Sequence, residues 1–138
     1  MIIKKIEIRG FGKLTDVDFN LSTSFNLIFG LNEAGKSTLH QLLLGLLYGL
    51  DKNERDRWKP WFGEEFGGAV IYQLSNGEEF RIERSFSPKV KTAVFDRFGN
   101  EITKDFPIDR ILDRLVGIKH LGIGRGVFMN SCFIRQNQ

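Results

Sequence analysis

Residues 30–38 read GLNEAGKST, which fits the pattern G-x-x-x-x-G-K-[ST] through Gly30, Gly35, Lys36 and Ser37. With glycine at about 7% of average composition, those four positions would coincide by chance in roughly one chain of this length in a few hundred. The flanking sequence narrows the reading further. Phe25 to Phe29 (FNLIF) is a nearly continuous apolar run that stops at Gly30, as a strand buried on both faces would. After the loop, Leu39, Leu42, Leu43, Leu46, Leu47 and Leu50 recur at helical spacing, predicting a helix from about Lys36 that is buried on most sides and ends near Gly49 and Asp51.

A strand, a glycine loop and a helix N-terminus are the parts that surround phosphate oxygens with backbone N–H groups. Gly30 and Gly35 let the backbone approach without a clashing Cβ. Lys36 is placed to reach the β- and γ-phosphates, and the Ser37 hydroxyl to take one position on Mg²⁺.

The rest of the chain gives a second architecture. Ile6 and Ile8 alternate up to Gly10, and Val17 and Phe19 alternate again, so two strands are expected to pair around a turn at Gly12 and Lys13. GGAVIYQL, EFRIERSF and KTAVFDRF, separated by turns at Ser75 to Gly77 and after the last strand at Gly99 and Asn100, predict three strands of an antiparallel meander. Asp51 to Glu65 (DKNERDRWKPWFGEE) reads as a long surface loop, with Lys52, Arg55, Arg57, Lys59, Trp58 and Trp61 available to face solvent, nucleic acid or phosphate. Pro107 followed by Ile108, Ile111, Leu112 and Leu115 predicts a helix up to Gly117, and Val127 to Ile134 a strand-like run.

Other features carry less chemistry. A GTPase would show N/T-K-x-D, and Thr103-Lys104-Asp105 puts the aspartate one place too early. Ala93-Val94-Phe95-Asp96 is the only string resembling a Walker B strand; it is followed by Arg97 and a hairpin turn, and reads as an ordinary strand end. Gly10-Phe11-Gly12 and Gly122 to Gly126 are turns rather than dinucleotide fingerprints. His40 and His120 stand apart without ligand spacing, so surface or packing roles are expected and no metal site other than Mg²⁺. The balance of 20 Lys plus Arg against 17 Asp plus Glu, net +3, permits nucleic acid as a partner without demanding it. A single cysteine, Cys132, excludes an internal disulfide framework and fits a reducing compartment, the cytoplasm. No run approaches the roughly 18 apolar residues of a membrane span.

The opening strand with RGFGKL (Arg9 to Leu14), then FNLIFGLNEAGKSTL, and finally NSCFIRQ (Asn130 to Gln136), resembles the N-terminal half of an ABC-type ATPase head of the SMC, SbcC, RecF and RecN class. The form it is most similar to is that of bacterial SbcC-like or YhaN-like coiled-coil ATPases. Glu33 and Ala34 stand where many members carry Gly and Ser or Ala, which blurs the subfamily and not the phosphate site.

The resemblance implies an α/β P-loop NTPase fold: an N-terminal lobe with a mixed sheet, the P-loop helix and an antiparallel β-meander. It implies ATP and Mg²⁺ as ligands, with nucleotide contacts from Gly30, Asn32, Glu33, Ala34, Gly35, Lys36, Ser37 and Thr38. By the same resemblance Gln136 is the Q-loop glutamine that touches Mg²⁺ and the attacking water, while Arg9, Phe11, Gly12 and Lys13 lie by the ribose and base. Lys36 and Gln136 are 100 residues apart, room for the meander that such heads carry.

No signature motif, D-loop, switch histidine or coiled coil follows, so residues 1–138 are expected to be a single lobe ending just after the Q-loop. Its expected partners are its own C-terminal lobe, a second head in a homodimer, DNA and a nuclease subunit, with no membrane. The resulting expectation is the ATP-binding half of an ATPase that couples head dimerisation and hydrolysis to DNA repair or chromosome maintenance, the fragment alone turning over negligibly. The alternative is a non-hydrolysing nucleotide-binding regulatory module; a small P-loop kinase would need an Arg-rich lid that the sequence does not show.

Overall fold

The alternating apolar residues of the N-terminus form β1 (Ile2–Phe11) and β2 (Leu14–Asn20), antiparallel with Ile6 opposite Phe19 and Phe11 opposite Leu14. The architecture comes from a computed structural model that describes residues 1–20 and 33–130, with the side chains of the second span described from Ser37 onward. The meander follows the sequence expectation: β3 (Phe66–Gln73), β4 (Glu79–Ser87) and β5 (Lys91–Asp96) are consecutive antiparallel strands. Because β3 also pairs with β1, all five join in one sheet of order β2-β1-β3-β4-β5.

One face of this sheet is apolar. Ile6, Ile8, Phe19, Val70, Tyr72, Ile82 and Val94 are at most 1% exposed, and they meet the leucine-rich helix α1 (Glu33–Tyr48). Every residue from Leu42 to Leu50 is buried, so this helix is enclosed on most sides as its composition demands. Gly45 fits a tight spot there: a Cβ would press to 3.1–3.2 Å against Leu50 and the Phe86 ring. Gly49, at φ +91°, turns the chain out of the helix, its N–H donating to Gly45 O at 2.8 Å.

The opposite sheet face carries charge. Glu7 on β1 and Arg81 on β4 reach across β3 over small Ala69 to form a bidentate pair at 2.8 and 2.9 Å, and Arg81 also donates to Glu83 at 2.9 Å. Hydrogen bonding from Arg81 holds the Glu7 carboxyl down to about 2. A depressed carboxylate stabilises the fold above its unfolded value and loses that contribution as pH falls towards the folded one. Urea denaturation of the wild type and Glu7→Gln should therefore differ by about 1 kcal/mol at pH 7 and converge by pH 2, given the partly exposed site. A constant difference between those pH values would contradict this assignment.

Three stretches depart from the sequence reading. Asp51 to Glu65 is not loop throughout, for Lys52–Arg57 is helix α2, opened by a capping box in which Asp51 Oδ1 accepts from Glu54 N and Glu54 Oε1 from Asp51 N. Asp51-x-x-Glu54 was the sequence signal for it. Trp58, which follows, stacks on Phe11 at 5.1 Å and is partly buried, whereas Trp61 is 69% exposed.

The helix expected from Pro107 to Gly117 does not form. Instead β6 (Ile108–Asp109) and β7 (Asp113–Arg114) make a short hairpin. Asp109 Oδ2 accepts from the N–H groups of Ile111 and Leu112, turning the chain back, and the buried Arg84 takes the carbonyls of Leu112 and Arg114. Ile108 and Ile111 are over 60% exposed, so their helical spacing marks no buried face.

Helix α3 (Val116–Leu121) starts only after this hairpin, with Gly117 packed so closely on the Tyr48 ring that a Cβ would overlap it. Gly122, left-handed, and Gly124 then form the expected turn into α4 (Arg125–Met129). That helix occupies the first part of Val127 to Ile134, expected as strand-like. Among the described residues, no helix is long and apolar enough to cross a membrane.

Candidate functional site

Helix α1 begins three residues earlier than the leucine spacing indicated, at Glu33 rather than about Lys36. Glu33 and Ala34 favour helix, so the phosphate-loop residues Glu33, Ala34, Gly35, Lys36, Ser37 and Thr38 make up its first turns. The first four N–H groups of a helix have no partner inside it, and the aligned peptide dipoles leave partial positive charge there. Ser37 is exposed, Thr38 half-buried and Leu39 fully buried, so the helix passes from a solvent-facing first turn into core within three residues. Gly30, Asn32, Gln136 and the FNLIF strand lie outside the described residues.

The four residues expected near a base sit at the end of β1 and in its turn. Arg9 and Lys13 are exposed. Phe11 is 0% exposed, its ring packed between Trp58 and Phe66, so only its backbone is available to a ligand. Gly12 adopts φ +58°; its N–H donates to Trp58 O and its carbonyl accepts from Trp61 N, both at 2.8 Å. This pair of backbone hydrogen bonds fixes the turn against the segment after α2, a link the sequence did not reveal.

The competing motifs have structural work. Asp96 Oδ1 accepts from the N–H groups of Phe98 and Asn100, a hairpin role that holds its carboxyl below the usual range, so Ala93 to Asp96 ends as an ordinary strand. Thr103 to Asp105 is a single 3₁₀ turn whose Thr103 Oγ1 accepts from Val94 N at 2.9 Å. Both histidines pack, as expected. His120 lies among Tyr72, Phe80 and Phe106, with burial taking its imidazole down to about 4, and the Tyr72 hydroxyl bonds its Nδ1. His40 contacts Phe128. Among the described residues no three His, Cys, Asp or Glu side chains gather as a metal cluster.

Residues 1–117, containing the sheet, α1 and the glycine loop, match the AAA domain family. The chain belongs to that family. It is 29% identical over its whole length to a protein named DNA double-strand break repair Rad50 ATPase from Thermoplasma volcanium. It is 30% identical over 70% of its length to a protein named YhaN from Bacillus subtilis. These alignments bear out the likeness to ABC-type ATPase heads of the SMC and Rad50 class and to YhaN. The chain spans 16% of the length of the first relative and 10% of the second.

Proposed function

We propose that this AAA-family chain is the ATP-binding N-terminal lobe of a Rad50- or SbcC-like ATPase. In the whole protein, ATP-driven closure of two heads and hydrolysis serve DNA repair or chromosome maintenance. The observation that carries this reading is α1, a 16-residue helix that opens inside GLNEAGKST, exposes Ser37 in its early turns and anchors its remaining length in the core. A helix end so rigidly held orients its N–H groups before any ligand arrives, which is what charge stabilisation of phosphate requires.

The donor set fits Mg-ATP. The α1 N–H groups and Lys36 would hold phosphate oxygens, Ser37 and Gln136 would hold Mg²⁺, and Arg9 and Lys13 would flank the ribose and base. Mg²⁺ held there would supply positive charge to offset that of the phosphates. Gln136 would orient the attacking water. The chain's other proposed partners are a C-terminal lobe, a second head, DNA and a nuclease subunit, on the strength of the printed name of the Rad50 relative and the resemblance to SbcC-like heads.

Phosphoryl transfer depends on positioning charge on all sides of the transferred group, and no described carboxylate stands as a general base here. The chain alone should therefore bind Mg-ATP but turn it over at background rate in a phosphate-release assay. Steady turnover abolished by Lys36→Ala would contradict the requirement for a second head.

A further inference from the structure

Trp61 is 69% exposed, and Phe62 beside it is 64% exposed. Single apolar side chains on a surface are ordinary. What sets Trp61 apart is how its backbone is held: its N–H donates to Gly12 O at 2.8 Å, while Gly12 N donates to Trp58 O at 2.8 Å. Gly12 O and Lys13 N belong to one peptide group, so Trp61 and Lys13 leave the chain from hydrogen-bonded neighbours.

The segment from Trp58 to Glu65 lies as a strap across the end of β1. Trp58 stacks on Phe11 at 5.1 Å, and a Cβ on Gly10 would come within 3.0 Å of Pro60 Cγ and overlap the Glu65 carbonyl. The strap therefore rests directly on the backbone of Gly10 and Gly12, and the Trp61 indole projects from a segment already fixed. Such a ring gives up little freedom when a ligand meets it. Along the strap, exposed Lys59 is set against exposed Glu64 and Glu65, so the strap carries no excess positive charge to hold phosphate. A flat, uncharged ring is the chemistry that the exposed indole face suits.

Among the residues expected near the base, Phe11 is the one aromatic, and its ring is fully buried. We propose that Trp61 is a base-binding residue, its indole stacking on the nucleobase of the bound nucleotide while exposed Arg9 and Lys13 flank it from the β1–β2 turn. This rests on the ATP-binding reading. The strap thereby supplies the aromatic face that Phe11 has committed to the core.

The experiment compares wild type, Trp61→Ala, Trp61→Phe and Phe62→Ala by calorimetric titration with Mg-ATP and with Mg²⁺ and inorganic tripolyphosphate, beside a thermal melt of each. Tripolyphosphate keeps the phosphate chain and has no base. Trp61→Ala should weaken ATP binding about 5- to 150-fold, the range of base–aromatic stacking, and leave tripolyphosphate binding and the melt unchanged. Trp61→Phe should keep most of the ATP affinity, and Phe62→Ala all of it. Equal ATP affinity in wild type and Trp61→Ala overturns the inference, as does an equal loss for ATP and tripolyphosphate. Titration with a single-stranded oligonucleotide tests the other source of bases: binding that Trp61→Ala abolishes while ATP affinity is untouched would assign the ring to nucleic acid and overturn the proposal. A wild type that binds neither ATP nor tripolyphosphate overturns the ATP-binding reading itself, and this inference with it.

Discussion

Arg84→Met should lower the stability of the fold by about 3–5 kcal/mol and its melting temperature by about 10–17 °C. Arg84 is 2% exposed, and its guanidinium donates to Leu46 O at 3.2 Å, Leu112 O at 2.7 Å and Arg114 O at 2.6 Å. It thus joins the last turns of α1 to the 108–114 hairpin. Burial brings its pKa down to about 9, so it remains a cation at neutral pH.

Replacing a buried ion pair by apolar residues can be neutral, because both charges leave together. Here the acceptors are backbone carbonyls, which no substitution at position 84 removes. Methionine would match much of the volume while taking the donor from three carbonyls, that of Leu46 in a buried bond and those of Leu112 and Arg114 in part-buried ones. Arg84→Lys should recover only part of the loss, since an ammonium cannot span the three acceptors as a planar fork does. A methionine variant with an unchanged denaturation midpoint would show that the hairpin is not held this way.

Lys36→Ala should weaken Mg-ATP binding roughly 10- to 100-fold, the range expected for losing a charge-assisted hydrogen bond to phosphate. Its melting temperature without nucleotide should stay within about 2 °C of wild type, because the helix is held by burial beginning at Leu39 and not by its first turn. Calorimetric titration beside a thermal melt separates the two effects. Equal affinities would remove Lys36 from the phosphate site, and a collapsed melt would make it a structural residue.

How much was legible in the sequence depended on whether a residue's environment was local. Strand alternation at Ile6 and Ile8 and the turns at Gly12 and Gly77 read correctly, since period and turn chemistry are written in consecutive residues. The leucine helix was legible for the same reason, but its start was not. The leucine stripe begins at Leu39 because the core does, and it carries no information about the turn before it.

The hairpin at 108–114 was misread because Ile108, Ile111, Leu112 and Leu115 mimic a helical face while the deciding partner, Arg84, lies far away in sequence. Helix α2 was not legible because its six residues, KNERDR, carry no apolar periodicity, leaving the Asp51–Glu54 box as its one local signal. At the candidate site the glycine loop stands as a sequence reading, since Gly30 and Asn32 lie outside the described residues. The clamp of Gly12 between Trp58 and Trp61 and the bond from His40 to Phe128 were not legible, since each depends on tertiary approach between residues with no shared pattern.

The most direct test of the central claim is calorimetric titration of this chain with ATP and with GTP, each with and without Mg²⁺. The account predicts Mg²⁺-dependent binding of ATP in preference to GTP, with one site per chain. Absence of binding to either nucleotide, in a chain shown by its melt to be folded, would contradict it.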